Sequence, residues 1–168
     1  LGLADVRELR GARGFSAPAR HDEVALIQHS SGTTGTPRPV RLTHRAVLAN
    51  LEAIRARILA AYPEEDGVEH AAVSWLPLYH DMGLIGCVLT SVAHPADLTL
   101  IPPELFVARP YVWLRAISSY RATVSGAPNF AYSYCAERIE PDTMTGLDLS
   151  AWRVALTGAE PVARSALD

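Results

Sequence analysis

A short loop rich in glycine and hydroxyl side chains, residues 28–38, most constrains how this chain can fold. It follows an apolar run at residues 24–27 that is typical of a buried strand, and a helix start is predicted at Thr43. Glycines let backbone N–H groups approach an anion, and hydroxyl groups donate further hydrogen bonds to it. Arg38 adds a planar positive group at the end of the loop. This order favours phosphate binding, with an ordinary polar loop as the alternative.

Two common nucleotide-binding motifs do not describe this loop. Gly32 and Gly35 are too close together for the Walker P-loop, which places four residues between its first glycine and Gly-Lys. The dinucleotide fingerprint Gly-x-Gly-x-x-Gly does not occur in the sequence. A phosphate site in this loop would therefore belong to another class.

Composition excludes several classes of protein. The 168 residues fit one domain, and 49% hydrophobic content is enough to bury a core. The net charge of -3 and the lack of a basic block argue against a nucleic-acid partner. No apolar run is long enough to span a membrane and no signal segment opens the chain, so a cytoplasmic protein is expected. Cys87 and Cys135 lie in apolar segments and are expected to be buried thiols, and the scattered histidines predict no metal site.

Apolar strand-like and amphipathic helix-like segments alternate along the chain. Strands are predicted at residues 24–28, 71–76, 98–101, 122–125 and 153–156, and helices at residues 43–61, 82–92, 110–120 and 130–139. This alternation predicts a layered α/β fold in which helices cover both faces of a mostly parallel sheet. Residues 1–22 are interpreted as a linker or lead-in, and residues 23–168 as the domain.

The distinctive loops all follow predicted strands. They are residues 30–38, 78–81, 126–129 and 158–161. Since ligands of parallel sheets gather at the carboxyl ends of the strands, these four loops predict one binding site. The alternative is that turns in any α/β protein are enriched in glycine and proline.

The segment SSGTTGTPR at residues 30–38 resembles the phosphate loop of adenylate-forming enzymes, which include acyl-CoA synthetases, luciferases and peptide-synthetase adenylation domains. The segment WLPLYHDMGLIG at residues 75–86 is similar to fatty acyl-AMP ligases in particular. Residues 125–132 and 156–162 are similar to the same subgroup, so the resemblance runs from about residue 24 to residue 162.

The resemblance implies a fatty acyl-AMP ligase that uses ATP. A fatty acid carboxylate would attack the α-phosphate of ATP, and the acyl group of the resulting acyl-adenylate would pass to the phosphopantetheine thiol of an acyl carrier protein. No covalent enzyme intermediate is needed, so the site has to hold phosphates and neutralise developing charge. Three alternatives stay open: an acyl-CoA synthetase, an amino-acid adenylating relative, or a non-catalytic nucleotide-binding fragment.

The resemblance also implies a role for each loop. The β- and γ-phosphates would be wrapped by Ser30, Ser31, Gly32, Thr33, Thr34 and Gly35. Arg38 stands where the family usually has lysine, and His80 where it has a histidine or aromatic residue near the carboxylate and α-phosphate. The acyl pocket would be lined by Gly126, Ala127, Pro128 and Asn129. The adenine would be flanked by Gly158, Ala159, Glu160 and Pro161.

Several of these residues also have structural interpretations. His80 could simply close a turn, and Asp81 is predicted to cap the following helix rather than to act in catalysis. Trp75 and Tyr79 are predicted to pack rather than to stack on substrate. The alternative for Glu160 is a place in the first turn of a helix. The residues Tyr132 and Tyr134 fit core and pocket equally well.

Two departures from the family pattern affect these expectations. The family usually reads Pro-Lys-Gly where this chain has Pro37, Arg38 and Pro39, and Pro39 fixes a backbone angle that glycine leaves free. The family's magnesium-binding glutamate, ribose-binding aspartate and catalytic lysine would follow Asp168. We therefore expect a truncated core that does not make acyl-adenylate by itself, with the Mg²⁺ ligand outside this chain.

Overall fold

The computed structural model describes residues 19–29, 36–62 and 70–160. The described elements, in chain order, are β1 (Val24–His29), β2 (Pro39–Thr43), α1 (His44–Ala61), β3 (Ala71–Ser74), a π-helix (Met82–Leu89) continued by α2 (Thr90–Ala93), β4 (Asp97–Leu100), α3 (Pro103–Ala108), α4 (Tyr111–Ser119), β5 (Val124–Pro128), α5 (Asn129–Arg138), a 3-10 turn (Pro141–Met144) and β6 (Val154–Gly158). The lead-in predicted at residues 1–22 falls mostly outside the described residues.

Four strands form a parallel sheet in the order β4-β3-β5-β6. Val73 of β3 pairs with Ser125 of β5, and β5 pairs with β6 as far as Pro128 and Gly158. The order is not the chain order, so the connections cross over the sheet. The predicted mostly parallel α/β sheet is confirmed.

Helices cover both faces of this sheet. The π-helix contacts β3 and α1 on one face, while α4 contacts β3 and α5 contacts β5. On the α4 face the core is built around Phe106, Trp113 and Ile117, all with 0% exposure. Because side chains alternate along a strand, Val73 and Ala127 join this core while their sequence neighbours point to the other face.

The first strand does not belong to the parallel sheet. β1 pairs antiparallel with β2, and the two form a separate two-stranded sheet. β2 was missed because its sequence begins with Pro39 and carries Arg41, yet proline is tolerated at the first residue of an edge strand. The phosphate loop predicted to join a strand to a helix therefore joins the two strands of a hairpin.

The start of α1 and its buried face are as predicted. The Thr43 side chain accepts a hydrogen bond from the Ala46 N–H at 3.2 Å, which caps the helix. Val47 and Leu51, four residues apart, are the buried residues of this helix.

Other boundaries differ from the predictions. β5 and β6 run to Pro128 and Gly158, so the turn predicted from residue 126 is wrong and strand geometry continues to Pro128. The short helix α3 was also missed, because Pro103 was taken as a stop although proline fits a first helical turn. The helix predicted at residues 82–92 begins as a π-helix, in which the Thr90 N–H reaches the Ile85 carbonyl.

Candidate functional site

The carboxyl ends of the parallel strands bring three of the four predicted loops to one edge. They are the segment after β3, the junction between β5 and α5, and the turn after β6. The last two are direct neighbours, because Pro128 pairs with Gly158. The fourth loop holds Ser30, Ser31, Gly32, Thr33, Thr34 and Gly35, which lie outside the described residues.

The flanks of that fourth loop are nevertheless placed. Its two sides are held together because His29 pairs with Pro39, and Arg38 lies exposed just before β2. The side chain of Gln28 donates a hydrogen bond from Nε2 to the backbone carbonyl of Tyr79 at 2.7 Å. The hairpin is thereby tied to the segment that leaves β3, at the same edge as the other loops.

His80 lies in a tight turn where the π-helix begins. Its N–H donates to the Pro77 carbonyl at 3.0 Å, and its carbonyl accepts from the Leu84 N–H at 2.9 Å. Its Nδ1 lies 3.1 Å from the Met82 amide nitrogen and 2.9 Å from the Asp81 carboxylate. These contacts occupy Nδ1, so Nε2 is the ring atom left for a ligand. The half-buried ring closes the turn, and this geometry leaves room for a second role as a ligand residue.

Asp81 acts as the predicted cap. Its Oδ1 accepts a hydrogen bond from the Met82 N–H at 2.7 Å at the start of the π-helix. Behind it, Gly83 packs directly against the carbonyls of Leu76 and Pro77, where a Cβ atom would collide with backbone. The close approach of this glycine holds the turn containing His80 against the end of β3.

The predicted acyl-pocket residues lie at the end of β5 and the start of α5. Gly126, Ala127 and Pro128 are in the strand, and Asn129 is the first residue of the helix. Gly126 lies against β6, because a Cβ atom built on it would be 3.1 Å from the Cβ of Leu156. With any other residue at this position, Leu156 would have to move by a few tenths of an ångström.

The turn after β6 has an unusual backbone. Ala159 has φ of 69°, in the left-handed region that costs an alanine about 1 kcal/mol. The next residue, Glu160, directs its carboxylate to the start of α5, where Oε1 accepts from the Phe130 N–H at 2.8 Å. This bond places the Glu160 carboxylate at the first turn of α5. The predicted alternative, a helix that begins near Glu160, falls on residues outside the described part of the chain. Pro161 lies outside the described residues.

A cavity of about 860 Å³ lies between α1, the π-helix and the sheet. Its walls are mostly apolar and include Ile54, Ile58, Met82, Gly86, Gly126 and Leu156. Gly126 is the only one of these six that was predicted as a site residue. The repeat of Ile54 and Ile58 along α1 was the available signal for the others, and it was interpreted only as core packing.

The aromatic residues divide between core and surface. Trp75 is buried and stacks on Phe106 with ring centroids 3.9 Å apart, so its predicted packing role is confirmed. The prediction that Tyr79 packs is wrong, because this residue is 84% exposed. Tyr132 and Tyr134 pack against the core, with hydroxyls that donate to the carbonyls of Leu156 at 2.6 Å and Val107 at 2.7 Å.

Burial shifts three ionisable groups near the core. It raises the pKa of Tyr132 to about 12 and the pKa of Cys135 to about 11, and it also raises the pKa of Cys87. Both cysteines are free thiols, with Cys135 buried and Cys87 half-buried. These groups are neutral at physiological pH.

The described residues contain neither a metal-binding cluster nor a membrane-spanning helix. Within residues 19–29, 36–62 and 70–160, no group of three His, Cys, Asp or Glu side chains is placed to hold a metal ion. Across the same ranges, no helix has the length and apolar character that crossing a membrane requires.

A family comparison agrees with this geometry. The family model described as AMP-binding enzyme matches residues 5–168, and the chain belongs to this family. A medium-chain-fatty-acid–[acyl-carrier-protein] ligase, TtuA, from Teredinibacter turnerae is 38% identical over 86% of this chain and 22% of its own length. A 4-hydroxyphenylalkanoate adenylyltransferase from Mycobacterium tuberculosis is 35% identical over 96% of this chain and 25% of its own length. The chain thus spans about a quarter of these relatives.

Solved structures give the same assignment. A fatty acyl-adenylate ligase from L. pneumophila, in complex with acyl adenylate and pyrophosphate, superposes with a TM-score of 0.81 at 40% identity, over 90% of this chain and 26% of that chain. An adenylation domain of a keto acid-selecting NRPS module bound to keto acyl adenylate gives 0.79 at 30% identity, over 90% and 26%. The resemblance seen in the sequence is confirmed, and the chain has the fold of adenylate-forming enzymes.

Proposed function

We propose that the full-length protein containing this chain activates a fatty acid with ATP and delivers the acyl group to an acyl carrier protein. In the first step a carboxylate oxygen attacks the α-phosphorus of ATP, and the bond to pyrophosphate breaks. In the second step the phosphopantetheine sulfur attacks the acyl carbon, AMP leaves, and the thiol loses its proton. Family membership and the 38% identity to a fatty-acid–carrier-protein ligase support this proposal.

The single observation that carries the fatty acid as substrate is the apolar cavity of about 860 Å³. It reaches Gly126 on β5 and Leu156 on β6, close to the edge where the other loops meet. Burying methylene groups in such a cavity favours an alkyl chain by about 0.8 kcal/mol each. The polar residues of the lining, Arg55, His70, Thr90, Ser91, His94 and Ser125, are outnumbered by apolar ones, and this balance favours an alkyl chain.

Each predicted site residue takes a role in this proposal. Ser30, Ser31, Gly32, Thr33, Thr34 and Gly35 would hold the β- and γ-phosphates, with Arg38 adding positive charge. His80 would present Nε2 to the carboxylate or α-phosphate. The segment 126–129 would reach the acyl chain through Gly126, since Ala127 is buried in the core on the other face of the sheet. The segment 158–161 would flank the adenine through its backbone.

Magnesium would accompany ATP in this chemistry. Proteins bind Mg²⁺ in nucleotide sites through one or two carboxylates and the substrate phosphates. The carboxylate of Asp81 already caps the π-helix. As the family resemblance implies, we propose that the protein's Mg²⁺ ligand lies outside this chain, and none of the steps above depends on its position.

Mass detection of acyl-AMP tests the function. The full-length protein, given ATP and a panel of fatty acids, is expected to release acyl-AMP and pyrophosphate. Thr33→Ala and Arg38→Ala are each expected to weaken ATP binding, because they remove a donor and a charge from the phosphates. If both variants kept the wild-type ATP affinity and rate of pyrophosphate exchange, the phosphate-loop assignment would be refuted. If no fatty acid gave acyl-AMP, the proposed reaction would be refuted.

The thiol acceptor is a separate question with a separate test. A putative acyl-CoA synthetase from Caulobacter vibrioides is 37% identical over 95% of this chain, so coenzyme A is the competing acceptor. Presenting the acyl-adenylate in turn with a phosphopantetheinylated carrier protein and with coenzyme A distinguishes the two. We expect transfer to the carrier protein.

A further inference from the structure

Glu160 joins two parts of the candidate site that the sequence treats separately. Its carboxylate extends from the turn after β6, in the expected adenine segment, to the Phe130 N–H of α5 at 2.8 Å. Phe130 immediately follows Asn129, the last of the four expected acyl-pocket residues. The bond therefore spans the expected nucleotide and acyl segments.

Helix α5 lacks an N-cap side chain, and the Glu160 carboxylate takes the place of one. The residue at its N-cap position is Pro128, which has no side-chain oxygen, and no side chain of α5 caps its own first turn. A negative group is favoured at a helix N-terminus. Glu160 supplies from another strand the acceptor that Pro128 lacks.

The residue before Glu160 has an unfavourable backbone conformation. Ala159 adopts the left-handed region, φ 69°, which an alanine enters only at a cost in free energy. The pairing of Pro128 with Gly158 fixes both sides of the turn at their base. The hydrogen bond from Phe130 is made by the residue next to this strained alanine, so its free energy opposes the cost of the turn.

We propose that Glu160 is a positioning residue that acts through its bond to α5 and not by contact with the nucleotide. It holds the backbone of Gly158 and Ala159 in the conformation that receives adenine, and it links that backbone to the start of the acyl pocket. This inference rests on the proposed function, and it assigns to Glu160 a role distinct from flanking the base.

Steady-state kinetics on the full-length protein test the proposal with three variants. Glu160→Ala removes the acceptor and is expected to raise the KM for ATP about tenfold with a smaller change in kcat. Glu160→Gln keeps an amide oxygen at the same reach and is expected to stay within about threefold of wild type. Adding Ala159→Gly to Glu160→Ala is expected to recover part of the loss, because glycine adopts the left-handed turn without the hydrogen bond.

Hydrogen exchange gives a readout that does not depend on activity. Glu160→Ala is expected to speed exchange at the Phe130 amide, whereas Glu137→Gln, an exposed carboxylate further along α5, is a matched control expected to change neither exchange nor KM. Equal losses in Glu160→Ala and Glu160→Gln without faster exchange would overturn the proposal in favour of direct contact. A wild-type KM in Glu160→Ala would also overturn it. If wild type makes no acyl-AMP, the proposed function fails, while the exchange result still decides whether Glu160 fixes α5.

Discussion

The side chain of Gln28 donates to the backbone carbonyl of Tyr79 across 51 positions of sequence, with 2.7 Å between Nε2 and the oxygen. This bond joins the β1–β2 hairpin, which has its own sheet, to the exit segment of the parallel sheet. Only the donor is a side chain, so a substitution of Gln28 alone removes this hydrogen bond. The bond links the last residues of β1 to the segment that contains His80.

Replacing Gln28 by methionine tests this link. Methionine has similar length but no donor, so ATP affinity is expected to fall about fivefold, the equivalent of one neutral hydrogen bond. Calorimetric titration of ATP into the full-length protein measures it. Val40→Thr, at the position paired with Gln28 in the hairpin, is the control and should bind as wild type. Unchanged affinity in Gln28→Met would show that the hairpin is positioned by other contacts.

Replacing Ser125 by alanine should destabilise the core. Ser125 Oγ accepts from Trp113 Nε1 at 2.8 Å and donates to the Val73 carbonyl at 2.6 Å, with both side chains buried. The substitution leaves a buried indole N–H without an acceptor, at a cost of about 1–3 kcal/mol. Denaturant unfolding measures the loss. The exposed Ser119→Ala should change the free energy of unfolding by less than about 0.5 kcal/mol, and a similar result at Ser125 would contradict the expectation.

Alkaline pH should destabilise the fold through Tyr132 and Cys135. Burial raises both pKa values in the folded state, to about 12 and about 11, so the folded state retains protons that the unfolded state loses. Their contribution to stability is complete below about pH 8, under the unfolded pKa of cysteine, and is lost as the pH rises through the folded values. Unfolding measured from pH 8 to pH 11 is expected to show falling stability.

Tyr132→Phe separates the contribution of the phenol. The variant loses the bond to the Leu156 carbonyl, so at neutral pH it should be less stable by about 1 kcal/mol. Its stability should also fall less steeply above pH 10 than that of wild type. Parallel curves for the two proteins would show that the phenol does not cause the alkaline loss.

Two glycines in the π-helix should respond differently to alanine. At Gly83 a Cβ atom collides with the carbonyl of Pro77 and lies 3.0 Å from the carbonyl of Leu76, so Gly83→Ala should cost about 1–3 kcal/mol. At Gly86 the nearest atom is Met82 Cγ at 3.8 Å, an ordinary contact, so Gly86→Ala should be neutral or stabilising by about 0.5 kcal/mol. Thermal unfolding of both variants measures this difference in stability. Equal melting temperatures would contradict the packing described for Gly83.

The sequence predicted best those features that depend on local periodicity. The cap at Thr43 and the buried positions Val47 and Leu51 follow from spacing within one helix, and they are confirmed. β2 was missed because its pairing with β1 is a tertiary contact, and a segment that starts with Pro39 has no local sequence pattern typical of a strand. The length of β5 was misjudged because Gly126 and Pro128 are common turn residues, whereas here Gly126 allows β6 to approach.

The candidate site shows the same division. Motifs identified which segments meet at the carboxyl edge of the sheet, because parallel strands place their ends together. They did not show how those segments touch one another. The bond from Phe130 to Glu160 joins residues 30 positions apart, and a glutamate in such a position has no local pattern that reveals its partner.

The direct passage from β5 into α5 at Pro128 and Asn129 leaves no spare residue between strand and helix. One inserted amino acid there would rotate the whole of α5 by about 100° about its axis. Tyr132 and Cys135 would then turn away from the sheet, and Phe130 would no longer face Glu160. We therefore expect the junction between β5 and α5 to keep a constant length in functional homologues. An engineered insertion there is expected to disrupt the packing of α5.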